Sequence, residues 1–412
     1  MKRAFAIFIV VVASACAADE FLDRLGEALT WTSLDGGARG HVSGLVDAEG
    51  YALPMPAPGV IYADSSLLFN PRVSLFFDGQ VGDHLYAFAQ ARVDRGFDPS
   101  PDKIRTRLDE YAIRWNAHST EAFDVQVGKF GTVVGNWVPR HDSWQNPFIT
   151  APLPYENLTG MWDNEPVQSP EQLLVWSHVR PGLPSSFDEQ EKYLQLPIVW
   201  GPSYATGAAV AGSAGRVRYA FEVKNASLSS RPDAWSPRES RWDHPTVSGR
   251  VRFTPSQPWE FGVSASSGSF LRPMAGPLLP SSTGLGQYRE EVLAADLSYA
   301  WHHFQFWAEA FAARFIVPRV GNPETFSYYF ETRYRFSPEF SGAVRWGEQT
   351  YNTIATATGA ARWGHNIWRF DVAPMWRFTA HAQLKFQYSL LRLDGLVPRT
   401  TDMAATQLTV RF

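Results

Sequence analysis

Cysteine is almost missing from this chain: Cys16 is the only one in 412 residues. No disulfide can form within the sequence, and beyond residue 17 there is neither thiol catalysis nor a cysteine metal site. Charge is sparse as well, at 19% of residues with a formal net charge of -4. That balance excludes a disordered chain and a nucleic-acid-binding one. Past residue 38 there is no run of 18 apolar residues and little helical periodicity, so no helix pattern crosses a bilayer. Aromatic residues, in contrast, reach 14% and include 16 Trp, in a chain whose mean hydropathy is only -0.22.

The first segment has its own logic. Lys2 and Arg3 precede AFAIFIVVVASACA, an apolar run too short to span a bilayer, which ends in the small-x-small triplet Ala15-Cys16-Ala17. This predicts a secretory signal peptide over 1–17, cut before Ala18. Ser14-Ala15-Cys16 also resembles a loose lipobox with Cys16 lipidated, although Ala13 stands where Leu is usual. The segment 18–38 reads as periplasmic, with "DEFLDRLGEAL" open between a short helix, a plug and a disordered arm.

The signal that recurs over 39–412 is strict alternation. In "HAQLKFQYSL", Ala382, Leu384, Phe386, Tyr388 and Leu390 share one parity, and His381, Gln383, Lys385, Gln387 and Ser389 share the other. A strand places alternate residues on opposite faces, so one face is apolar and the other hydrated. The same split runs through "TFSYYFETRYRF" and "GRVRYAFEVK". About sixteen strands follow, near 39–52, 68–80, 84–96, 106–117, 121–130, 204–213, 215–228, 245–254, 259–270, 290–301, 303–315, 325–337, 340–350, 366–378, 381–392 and 402–412. The sixth, "YATGAAVAG", has the faintest pattern.

Loop lengths choose between a soluble sandwich and a membrane barrel. The connections alternate short and long, the longest being 131–203. That predicts an all-β fold: a transmembrane, up-and-down, antiparallel β-barrel with short periplasmic turns and long outer loops. Near the short turns the apolar parity is repeatedly aromatic (Phe77, Trp115, Phe123, Phe253, Trp259, Trp301, Phe304, Phe336, Phe340, Phe378), as expected of a girdle at one membrane interface. Two positions fit poorly. Lys129 falls on the lipid parity, which predicts that its strand ends or bulges at Gly128. Pro374 sits inside a strand and removes a ladder hydrogen bond, which suggests a bulge.

The chain ends "DMAATQLTVRF", with Leu408, Val410 and Phe412 on the lipid parity. This resembles the terminal strand of bacterial outer-membrane barrels, and the resemblance implies that Phe412 is part of the signal read by the barrel-insertion machinery. With the strand number and with "FDVQVGKF" entering the longest loop, the sequence is similar to the sixteen-stranded porins, in style to the phosphate-selective group. The resemblance implies location in the outer membrane of a Gram-negative-type bacterium, contact with its lipid, and a third long loop folded inward as a constriction. A loop of that length stays ordered only by packing. Trp137, Arg140, His141, Trp144 and Phe148 in "GNWVPRHDSWQNPFITAPLPYENLTGMWD" are the residues expected there. "QLLVWSHV" at 172–179 reads as an extra strand or an internal strut; if it spans together with "YLQLPIVWG", the barrel has eighteen strands.

Selectivity of an aqueous channel follows the charges on its polar parity. The basic positions are Arg216, Arg218, Lys224, Arg250, Arg252, Arg333, Arg335, Arg345, Arg369, Arg377 and Lys385, with Arg39, Arg72, Arg92, Arg114 and Arg411. The acidic positions (Asp47, Glu49, Asp78, Asp94, Glu110, Glu222, Glu260, Asp296, Glu309, Glu331, Asp371) are fewer. The expectation is a passive channel for small hydrophilic solutes with weak anion preference, neither an enzyme nor a cofactor protein. The alternative is a porin-like sheath around a multihaem cytochrome partner, since this chain has no CxxCH of its own. Whether the barrel forms a homotrimer stays open. His141 beside Asp142 or Ser143, and His41 with Asp47 and Glu49, lack diagnostic metal or nucleophile spacing.

Overall fold

The computed structural model describes residues 19–95, 104–117, 122–179, 192, 194–232, 242–395 and 398–412. The expected signal peptide and Cys16 lie outside them. A helix over 19–28 (α1) is followed by a three-residue strand β1 (Thr30–Thr32). The first barrel strands are β2 (Ala38–Ala52), β3 (Leu67–Val81), β4 (Leu85–Asp94), β5 (Arg105–Asn116) and β6 (Asp124–Phe130). Then come α2 (Leu153–Glu156) and α3 (Pro170–Trp176) inside the longest connection. Beyond it run β7 (Ala205–Ala214), β8 (Val217–Lys224), β9 (Thr246–Ser256), β10 (Trp259–Ser269), β11 (Arg289–Trp301), β12 (Phe304–Ile316), β13 (Glu324–Arg335) and β14 (Phe340–Tyr351). A small hairpin, β15 (Thr353–Thr356) and β16 (Gly359–Arg362), precedes β17 (Asn366–Arg377), β18 (Ala382–Asp394) and β19 (Arg399–Arg411).

Every neighbouring pair from β2 to β14, then β17 to β19, is antiparallel, and β19 pairs back on β2 from Ala404↔Ala52 to Arg411↔Leu45. The sheet therefore closes as a barrel of sixteen strands and has no free edge. The eighteen-strand reading is corrected: 172–179 is largely helix α3, whose Pro170 occupies the first turn and whose Ser169 caps it by accepting from the Gln172 N–H at 3.2 Å. Its Leu173 and Trp176 belong to an apolar cluster with Phe270, Phe315 and Trp363.

Polarity is inverted relative to a soluble protein. Phe386 and Tyr388 are exposed, whereas Gln383, Lys385, Gln387 and Ser389 on the same strand are buried. The aromatic girdle is present: Phe77, Trp115, Phe123, Phe253, Trp259, Trp301, Phe336, Phe340 and Phe378 are all exposed, and Phe304 partly so. Where the connections differ from expectation, the strands run further. β19 begins at Arg399, so the last outer connection is only 395–398, and the turn before β8 is Gly215-Arg216 rather than Ser213-Ala214.

Both irregular positions resolve without a register slip. β6 does not end at Gly128; pairing with β5 and β7 continues to Lys129 and Phe130. Gly128 instead takes φ 147°, a conformation L side chains rarely adopt, and the parity breaks there so that Lys129 turns inward and donates to Leu108 O at 2.8 Å. The bulge lies on the neighbouring strand, between Gln90 and Ala91 of β4 and Glu110 and Leu108 of β5. At Pro374 the β17–β18 register is the same on both sides (Val372↔Tyr388, Met375↔Lys385), so the ladder is interrupted but not shifted.

Before the barrel, α1 is tied to the turn after β17 by Asp23 and His381 at 2.9 Å. β1 pairs with β2, and Gly40 leaves room for the Trp31 ring.

Candidate functional site

The segment 131–204 leaves β6 and returns to β7, and its side chains meet the inner parity of distant strands. Asn136 N–H donates to Glu309, and Tyr155 donates to the same carboxylate at 2.9 Å. Arg140 reaches Glu331 at 2.5 Å and Tyr329 at 3.1 Å. Ser143 donates to Asp47 at 2.9 Å. Lys385 donates to the carbonyls of Ser143 and Asn146 at 2.6 and 3.0 Å. Gln387 accepts from the N–H groups of Ile149 and Thr150 at 2.7 and 3.1 Å. Arg369 holds Glu156 and the Ala151 carbonyl, and Arg345 holds Thr150. A long connection has many backbone groups to satisfy, and here the wall satisfies them.

The five aromatic and basic residues singled out in this segment sit at distinct places. Trp137 is buried against Tyr155, ring centroids 4.7 Å apart, with Val134, Ile198 and Phe311 around them. Arg140 lies 4.4 Å over Trp307. Trp144 lies against two guanidinium groups, Arg377 at 4.8 Å and Arg411 at 4.2 Å. Phe148 lies under Arg345 at 4.2 Å and packs on Ala343 and Ala373. His141 is fully engaged: one ring nitrogen faces Val138 O at 2.5 Å and the other Tyr204 Oη at 2.7 Å. Burial first, then the charge of Arg92, holds the His141 pKa below its ordinary value, while Asp142 acts in the opposite sense. Glu156 is held above the usual carboxylate range by burial, partly offset by Arg369.

The basic positions divide into two classes. Deep in the barrel they are neutralised: Arg250 by Asp296 at 2.6 Å, Arg345 and Arg369 by Asp371 at 2.7 and 3.0 Å, and Lys224 by Glu222 at 3.2 Å. Arg72 is shared by Asp47 and Glu49 at 3.0 and 2.6 Å. Toward the short-turn end the partners are neutral except at Arg252. Arg333 donates to Gln305, Arg114 to Gln126 and Arg39 to Gln80. Arg377 and Arg411 lie on Trp144, and among the described residues no carboxylate is within ion-pair distance of these five, of Arg218 or of Arg335. Arg252 meets Glu260 at 3.3 Å. Arg216 is in the β7–β8 turn, not on the wall.

Neither alternative chemistry is assembled. Ser143 is bonded to Asp47 and His141 to Val138 O and Tyr204, so these two do not form a nucleophile–base pair. Among the described residues, no group of three His, Cys, Asp or Glu side chains could hold a metal.

No family model matches the sequence, and no curated protein matches it. Solved structures do. The outer membrane channel DcaP of Acinetobacter baumannii superposes with a TM-score of 0.56 at 10% identity, covering 93% of this chain and 99% of that one. OmpF of Salmonella typhi, in a complex with daunomycin, gives 0.55 at 12% identity, over 93% and 100%. An anion-selective porin from Comamonas acidovorans gives 0.53 at 8% identity, over 91% and 99%. The fold is that of the outer-membrane porins.

Within that fold, the sequence did not disclose the anchors Asn136, Ser143, Asn146, Thr150 and Tyr155. Their wall partners lie 96 to 242 residues away in the chain. The one signal was on the wall: Gln383 and Gln387 put amides on the inner parity, groups that satisfy backbone as readily as they face water.

Proposed function

We propose that the protein is an outer-membrane porin of a Gram-negative-type bacterium, a passive channel for small hydrophilic solutes with a weak preference for anions. One observation carries the reading: an apolar, aromatic-rimmed outer face encloses an inner face of charged and amide side chains, which is how a water-filled path is insulated from lipid. The likeness to solved channels and porins supports it. Anion preference rests on the short-turn arginines that face glutamine or tryptophan instead of a carboxylate. The deep arginines and Lys385 contribute little, because each is paired or spent on loop carbonyls. The segment 131–204 acts as the constriction, and the barrel carries its solutes as a monomer or a homotrimer.

The sheath reading, in which a multihaem cytochrome fills the lumen, is the weaker one. The segment is bonded to β2, β5, β8, β10–β14 and β17–β18, so it occupies the space a partner would need. Two recordings test the proposal: reversal potential in a salt gradient across a planar bilayer, and liposome swelling with uncharged sugars of increasing size. A channel passes the smaller sugars and shifts its reversal potential toward the anion, most strongly at low ionic strength. Swelling no faster than empty liposomes defeats the proposal.

A further inference from the structure

Within residues 134–157 the inner segment is fastened to one side of the barrel. Between residues 134 and 157 its hydrogen bonds to the wall reach β2, β10–β14, β17 and β18, and among the described residues none reaches β3–β7. On the free side lies a cavity of about 430 Å³ between that wall and the turn carrying Val138, Pro139 and His141. The reason it stays open is legible in β7, whose inner parity is Ala205, Gly207, Ala209 and Ala211. No side chain there is large enough to meet the segment.

The cavity lining is mixed in a specific way. Phe88 and Phe130 on the wall, with Val138 and Pro139 on the segment, give it apolar surfaces. Arg114 is its one arginine; two of its N–H groups are spent on the neutral Gln126 Oε1, at 3.0 and 2.7 Å, and its guanidinium lies 5.9 Å from both the Tyr86 and Phe88 rings. Among the described residues its remaining N–H groups have no carboxylate partner. Two acids share the lining: Glu110, which accepts from Gly131 N–H at 2.8 Å, and Asp124. Their presence keeps the site from being a strong anion trap, and a conducting path requires sites that release what they bind.

Resting on the channel reading, we propose that this cavity is a subsite for small organic carboxylates with an apolar body. The carboxylate meets Arg114, and the body lies against Phe88, Phe130, Val138 and Pro139. An inorganic anion gains only the first contact. A compact carboxylate gains both, and removing apolar surface from water is favourable whatever the charge of the headgroup.

Benzoate is the probe, with benzylammonium and inorganic phosphate as comparisons at equal concentration. Two readouts are used on the purified full-length protein: saturation-transfer NMR, which needs no conduction, and single-channel current. The expected result is benzoate saturation transfer and reduced current, a weaker response to the other two, and loss of the benzoate response in Arg114→Gln. Ala209→Trp, which fills the cavity, should remove the response as well. A benzoate response unchanged in Arg114→Gln overturns the proposal, as does a stronger response to benzylammonium, which would assign the site to Glu110 and Asp124. Benzoate binding lost in Arg114→Gln, in a protein that carries no current at all, would uphold the subsite while the channel reading falls.

Discussion

Arg140, in the segment between β6 and β7, holds the fully buried carboxylate of Glu331 on β13 at 2.5 Å, while Arg345 stands 3.8 Å from the other oxygen. Burial alone would weaken the Arg140 charge, but Glu331 outweighs it, and the guanidinium is held more firmly protonated than usual. This pair ties a charged side chain of the segment to the far wall. Arg140→Ala leaves Glu331 buried with one distant partner, and removing one member of a buried pair costs on the order of 3 kcal/mol. The urea midpoint of the purified barrel should fall accordingly. Arg140→Ala with Glu331→Gln should recover part of the loss, and equal midpoints for native and Arg140→Ala would remove the pair from the account.

The barrel closes where Phe412 and Gly44 exchange backbone hydrogen bonds, both at 3.1 Å, and the Phe412 ring lies where a side chain on Gly44 would begin. Gly44→Val should therefore lower the yield of heat-modifiable, assembled barrel. Combining it with Phe412→Ala separates two roles of the terminal residue. Recovery of assembly marks a packing role at the seam. A further fall marks the role in insertion that the terminal strand's resemblance implies.

His141 supplies a pH dependence whose sign follows from its burial. The folded group takes a proton only below its ordinary value of 6.5, whereas the unfolded group takes it as pH falls through that value. The unfolded state then binds more protons, so stability is full above about pH 6.5 and is lost as pH falls toward the folded pKa. Hydrogen exchange at the amides of 137–145 should quicken on acidification, relative to the same amides in His141→Gln. Identical pH profiles in the two proteins would contradict this.

How far the sequence could be read depended on whether a residue's partner was its neighbour along the strand. β18 was legible because Leu384, Phe386 and Tyr388 face lipid while Lys385 and Gln387 do not, and alternation records that choice directly. β7 was faint because its inner face is small, so apolar and polar parities hardly differ; the same smallness keeps the cavity beside it open. At 172–179 a short apolar run, open between an extra strand and an internal strut, became α3, since a run of that length fits either period and Pro170 with Ser169 settled it. The inner parity was legible as polar but not as paired. Nothing local in Lys385 shows that its ammonium caps the carbonyls of Ser143 and Asn146, or in Arg345 that it meets Thr150. The charge count therefore overstated what is left to face a solute.

Single-channel conductance of a protein shortened between Val134 and Gly160 tests the central claim most directly. The barrel's hydrogen-bond ladder does not pass through this segment, so the sheet should still close, and the released arginines and Lys385 would be hydrated. If the segment narrows the path, the shortened protein conducts more than the native one, and its benzoate response disappears with the Val138–Pro139 wall of the cavity. A shortened, folded barrel whose conductance equals that of the native protein would contradict the account.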